Sequence, residues 1–66
     1  MSDIDADEAV VIARKFFAQS FDGFKLGDIF LQGGDWFVKG HVILFGVTSN
    51  RILSIESKTG RIISCE

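Results

Sequence analysis

A single change of period at Asp22-Gly23 most limits the folds open to this chain. Before it, apolar residues fall at Ala9, Ile12/Ala13, Phe16/Phe17 and Phe21, the three-and-four spacing of one helix face. The spacing predicts a helix over residues 5–21. Asp5 suits the N-cap, with Glu8 three positions on as in a capping box. Ile4 and Ala9 form a weak hydrophobic staple. The acids Asp3, Asp5, Asp7 and Glu8 favour the positive end of the helix dipole. Gly23 is expected to end the helix in the left-handed conformation.

Everything after Gly23 reads as strand. Phe24–Gln32 is the first, with a bulge or bend expected at Gly27-Asp28. Gly33-Gly34 is a two-residue hairpin signal. Asp35–Val47 is one long run interrupted at Gly40-His41. Thr48-Ser49-Asn50 reads as a turn, Arg51–Glu56 as a short strand, and Ser57-Lys58-Thr59-Gly60 as a further turn with Gly60 in a bulge-type position. Arg61–Cys65 is the last strand. The expectation is an α+β domain over residues 1–66, one N-terminal helix packed on a four-stranded antiparallel meander sheet.

Composition narrows the function classes. The chain has 66 residues, 47% of them hydrophobic and 24% charged, with no Pro and a net charge of −2. It is too apolar for disorder and too small for a multi-domain enzyme. Arg14 and Lys15 are the only adjacent bases, so no basic patch offers itself to phosphate, and nucleic acid is not the expected partner. Apolar runs such as Val42–Phe45 are far too short to span a bilayer. The acidic start does not resemble a signal peptide, and a single thiol fits a reducing compartment. A cytoplasmic location and no membrane insertion are expected.

Several short patterns join these elements. An Ala-Val-Val-Ile-Ala helix, with alanines at 9 and 13, leads to Trp36-Phe37-Val38, and the chain closes with Lys58-Thr59-Gly60-Arg61-Ile62-Ile63. Together they resemble the PepSY domain of protease propeptides and small standalone proteins. Its pattern is an Ala-x-x-x-Ala helix, a Trp-x-Val strand and a terminal Thr-Gly-Lys/Arg-Ile/Val hairpin. The resemblance implies a PepSY- or cystatin-like fold, a binding or protease-regulatory role, and no catalytic residues. The chain departs from the family in placing Phe37, Ile43 and Phe45 along its central strands.

Other chemistry finds little support. Asp3-x-Asp5-x-Asp7 opens like a calcium loop, but the sixth and twelfth positions hold Glu8 and Arg14 where Gly and Glu are needed. His41 and Cys65 are the only residues of their types, too few for a structural zinc site. They form a nucleophile–base pair only if the fold brings them together. Cys65 reads most simply as a small hydrophobe. Lys58-Thr59-Gly60 lacks the Ser-x-x-Lys partner of serine-acylating enzymes, and no phosphate-binding glycine loop is present. No cofactor, metal or catalytic residue is expected, and the chain is not expected to be an enzyme.

The aromatic and aliphatic residues carry more. Trp36 is expected to be structural. Alternation puts Trp36, Val38, Val42 and Leu44 on one face, and Phe37, Lys39, His41, Ile43 and Phe45 on the other, unless a bulge at Gly40 swaps the faces beyond it. Both faces are apolar either way. One helix about 10 Å across cannot cover both faces of a sheet nearly 20 Å wide. Phe37, Ile43, Phe45, Ile52 and Ile62 are therefore the candidate interaction surface. The expected function is a small protein-interaction module whose partner is another protein or a second copy, as a homodimer. The alternative is a small-molecule binder, with its pocket between helix and sheet or at a dimer seam. Strong twist that wraps the sheet around the helix would instead bury these residues within one chain.

Overall fold

The computed structural model describes residues 3–66 and has one helix packed on a four-stranded antiparallel sheet. The elements are α1 (Ala6–Ser20), β1 (Gly23–Gln32), β2 (Asp35–Leu44), β3 (Val47–Glu56) and β4 (Ile62–Cys65). The strands lie in chain order, each beside its predecessor.

Asp5 caps α1, its carboxylate accepting the Glu8 N–H at 2.9 Å. The buried positions Ala9, Ala13 and Phe17 recur every fourth residue, so two methyl groups and one ring form the stripe that meets the sheet. The helix does not end in a left-handed glycine. Phe21 is already extended at φ −133°, ψ 157°, and Gly23 has no positive φ. The Asp22 N–H donates to the Ile43 carbonyl at 2.8 Å, which draws the chain into the sheet at once.

Gly33-Gly34 forms the expected two-residue turn with both φ values positive, at 62° and 83°. The β1 bulge is also where the sequence puts it: Leu26 pairs with Gly40 and Ile29 with Val38, leaving Gly27 and Asp28 opposite Lys39 alone.

Two expectations about the middle of the chain fail. β2 stops at Leu44, and Phe45-Gly46 makes the next turn, at φ 52° and 77°. Thr48-Ser49-Asn50 is therefore strand, and β3 runs ten residues rather than six. This register sets Val38 against Leu53 and Trp36 against Ile55, so the buried residues of both strands share one face.

Gly40 carries no bulge, and its pairing with Arg51 is regular. Its role is steric. A Cβ there would lie 3.0 Å from the Phe17 ring, so the bare backbone is the seat on which that ring rests. Phe17, Val38, Val42, Leu53 and Ile55 are the largest fully buried side chains.

The end of the molecule at Gly33-Gly34 is tied by Ser57, the one buried polar residue among those described. Its Oγ donates to the Gly34 carbonyl at 2.7 Å, and its own carbonyl accepts the Ile4 N–H at 2.7 Å. Trp36 Nε1 donates to the Ile4 carbonyl at 3.1 Å, so the segment before α1 is held at both of its polar groups.

Candidate interaction surface

Five residues were expected to share a surface, and the fold divides them. Phe37, Ile43 and Ile52 lie on the sheet face away from α1, by the alternation that buries Val38, Val42 and Leu53 on the near face. Ile62 pairs with Ile55 and packs against the core on the helix side. It leaves the candidate set because Ile63 is the extra residue between the Ser54–Ser64 and Ile55–Ile62 pairs. Phe45 belongs to neither face. It sits in the β2–β3 turn, 87% exposed.

The open face is not one apolar patch. Phe37 stacks on Phe30 of β1, with ring centroids 5.4 Å apart and planes inclined by 21°. Lys39 and His41 then separate that pair from Ile43 along β2. Lys25 and Asn50 flank His41 in the neighbouring strands. A shallow depression of about 420 Å³ lies beside the β1 bulge, lined among others by Asp28, Lys39, His41 and Asn50. It is on the sheet, not between helix and sheet, where Phe17 fills the space against Gly40.

His41 and Cys65 do not meet. His41 is exposed on the open face, whereas Cys65 pairs with Leu53 and packs against the core from the other. Burial pushes the Cys65 thiol up, and the nearby Arg51 pulls it partly back. No group of three or more His, Cys, Asp or Glu able to hold a metal ion occurs among the described residues. No described helix is long and apolar enough to cross a membrane.

The two most exposed large apolar residues among those described, Phe45 and Val47, sit at the tip of the β2–β3 hairpin. Ile43, Leu44, Phe45 and Val47 are all exposed, Val47 by 66%. Phe45 is also the only non-glycine residue with positive φ among those described. The left-handed region costs such a residue roughly 1–2 kcal/mol, and turns of this kind normally carry Asn, Asp or Gly. The strained turn is braced from the helix end: Asp22 Oδ2 accepts the Phe45 N–H at 3.0 Å while the Asp22 N–H holds the Ile43 carbonyl.

Leu44, Val47 and Asp22 escape a reading of the sequence. The available signal was Gly46, with ten residues of strand character on either side of the turn. Phe at the position before it hides the turn, because Phe-Gly is a poor match to the residues that such turns prefer. Comparison with known proteins found no matching family model, no matching curated protein and no matching solved structure.

Proposed function

We propose that this chain is a non-enzymatic protein-interaction module that makes contact through the tip of its β2–β3 hairpin. The observation that carries the reading is Phe45. A large aromatic side chain stands almost fully in water, on a backbone conformation that disfavours it, braced by a carboxylate from the helix end. An exposed aromatic held at an energetic cost is the expected form of a binding anchor. Ile43, Leu44 and Val47 surround it with further apolar surface. The PepSY resemblance, which also implies a binding module, agrees with this reading.

The small-molecule alternative has the depression beside the β1 bulge in its favour. Against it, the depression is shallow and its polar lining, Asp28, Lys39, His41, Asn50 and Arg51, is exposed, whereas ligand sites bury most of the ligand in an apolar cleft. Photo-crosslinking in the producing cells tests the module reading. A photoreactive phenylalanine analogue at position 45 is expected to give discrete protein adducts. The same analogue at the exposed helix residue Val11 is expected to give none. Equal adduct patterns from both positions refute the reading.

A further inference from the structure

The sheet face away from α1 carries its polar side chains in two rows of opposite character. Across β1, β2 and β3 the register sets Lys25, His41 and Asn50 side by side, in the row toward the hairpin tip. It sets Gln32, Asp35 and Glu56 side by side in the row next to the Gly33-Gly34 turn. Asp35 and Glu56 are cross-strand neighbours of like charge, an arrangement that destabilises a single chain. Arg61, whose carbonyl accepts the Glu56 N–H, adds one positive charge at the β4 margin of that row. Between the two rows lie Lys39 with Ile52, and Phe30 with Phe37 and Ser54. Phe30 and Ile52 are exposed, and Phe37 stacks on Phe30.

We propose that this face packs on the same face of a second copy, about a two-fold axis that lies in the interface and crosses the strands at the level of Val38 and Leu53. The proposal goes beyond the hairpin-tip reading and uses different residues. Such an axis reverses the partner's strands, so each row of one sign meets the row of the other. His41 faces the partner's Asp35, Asn50 the partner's Glu56 and Lys25 the partner's Gln32, once at each end of the interface. In the middle the Lys39 ammonium lies over the partner's Phe37, a favourable cation–ring contact. Phe30, Phe37 and Ile52 of both copies form the apolar centre, with the polar rows as its rim.

Charge selects this axis among the alternatives. An axis along the strands would lay β2 on the partner's β3 at the same level, with Asp35 on the partner's Glu56. Moving the crossing axis to Lys39 would set that lysine on its own copy. Moving it to Phe37 would set Ile52 on the partner's Glu56 and drop the His41 row from the overlap. The chosen overlap runs over residues 35–41 of β2, about 23 Å, across a sheet about 19 Å wide. That is about 450 Å² of sheet from each copy and about 900 Å² in all, close to the smallest area of a specific interface, so the dimer is weak and forms at micromolar concentrations. Residues 43–47 extend past the partner's Gly33-Gly34 turn, which leaves the two hairpin tips free at opposite ends.

A charge swap tests the axis. Asp35 and His41 stand about 20 Å apart along β2, so neither acts on the other within one chain. Asp35→Lys relieves the clash with Glu56, and its thermal melt at low concentration should be no lower than the parent's. The same change sets a lysine on the partner's Lys25–His41 row and is expected to weaken dimerisation in sedimentation equilibrium at low ionic strength by about tenfold or more. Adding His41→Asp is expected to restore the parent's dimerisation to within about threefold. A parent chain that stays a 7.3 kDa species up to about 1 mM overturns the pairing. A double variant no better than Asp35→Lys alone, or rescue by Lys39→Asp in place of His41→Asp, overturns the axis. Phe45→Asn is expected to leave the dimer intact, and its loss in that variant would move the contact to the tip and overturn the face. If the chain is monomeric and still gives Phe45 adducts with another protein, face pairing falls and the tip reading stands.

Discussion

Phe45→Asn should make the isolated domain more stable. The native residue holds φ 52°, a conformation that costs a β-carbon-bearing side chain roughly 1–2 kcal/mol and that Asn tolerates better. Because the ring is 87% exposed, truncation sacrifices only about 0.3 kcal/mol of apolar burial. The Asp22 brace survives, since it accepts the backbone N–H and not the side chain. Neither residue is glycine, so the unfolded chain changes little. The net gain should be about 0.5–1 kcal/mol, which for a domain of this size raises Tm by roughly 3–8 °C. Thermal unfolding followed by far-ultraviolet circular dichroism measures it. A fall in Tm of several degrees would show that the ring is packed within the monomer, and would remove the argument that strain is tolerated there for binding.

The core offers a change of opposite sign. Gly40→Ala places a methyl group 3.0 Å from the fully buried Phe17 ring, and the overpacking should outweigh the better backbone propensity, for a net loss of about 1 kcal/mol. An unchanged urea midpoint would show that the ring has room to move. Trp36→Ala should cost about 3 kcal/mol, and Trp36→Phe about 1 kcal/mol, through the hydrogen bond to the Ile4 carbonyl. Equal melts of all three chains would show that Trp36 carries no structural load. Cys65 should react with iodoacetamide at pH 8 more slowly than a free thiol, because burial raises its pKa. For the same reason stability should fall as pH rises past the ordinary thiol value, where only the unfolded chain ionises, and Cys65→Ala should flatten that decline.

The elements that the sequence revealed are those whose signals are local. The Asp5 cap, the Ala9–Ala13–Phe17 stripe, the Gly33-Gly34 turn and the β1 bulge each follow from a few adjacent residues. The second hairpin did not, because its turn holds Phe45 where local preference calls for Asn, Asp or Gly. Thr48-Ser49-Asn50 then looked like the turn, although its polar residues lie in a strand edge that no described segment covers. Gly40 misled in the same way: a strand glycine suggests a bulge, and only the partner ring reveals that it is a seat. Ile62 was misassigned because one bulge residue inverts the faces of a four-residue strand. The errors fall mostly where a residue answers to a distant partner, or to none within the chain.

The two ends of the molecule are finished differently, and the difference is geometric. Fifteen helical residues span about 22 Å, whereas ten strand residues span about 33 Å. The helix starts level with Trp36, where Ser57, Ile4 and the Gly33-Gly34 turn close the structure. The excess strand length therefore emerges at the other end. There the β2–β3 tip carries Phe45 and Val47 into solvent. A protein that needed only stability would place Asn at position 45. This chain places Phe there and stations Asp22 to hold the strained turn in place. Hydrogen exchange tests that brace directly. Asp22→Ala should speed exchange of the Phe45 amide, which donates to the Asp22 carboxylate, and leave that of Leu53, paired with Val38, unchanged. A Phe45 amide that exchanges at the parent rate would mean that the turn does not depend on the carboxylate.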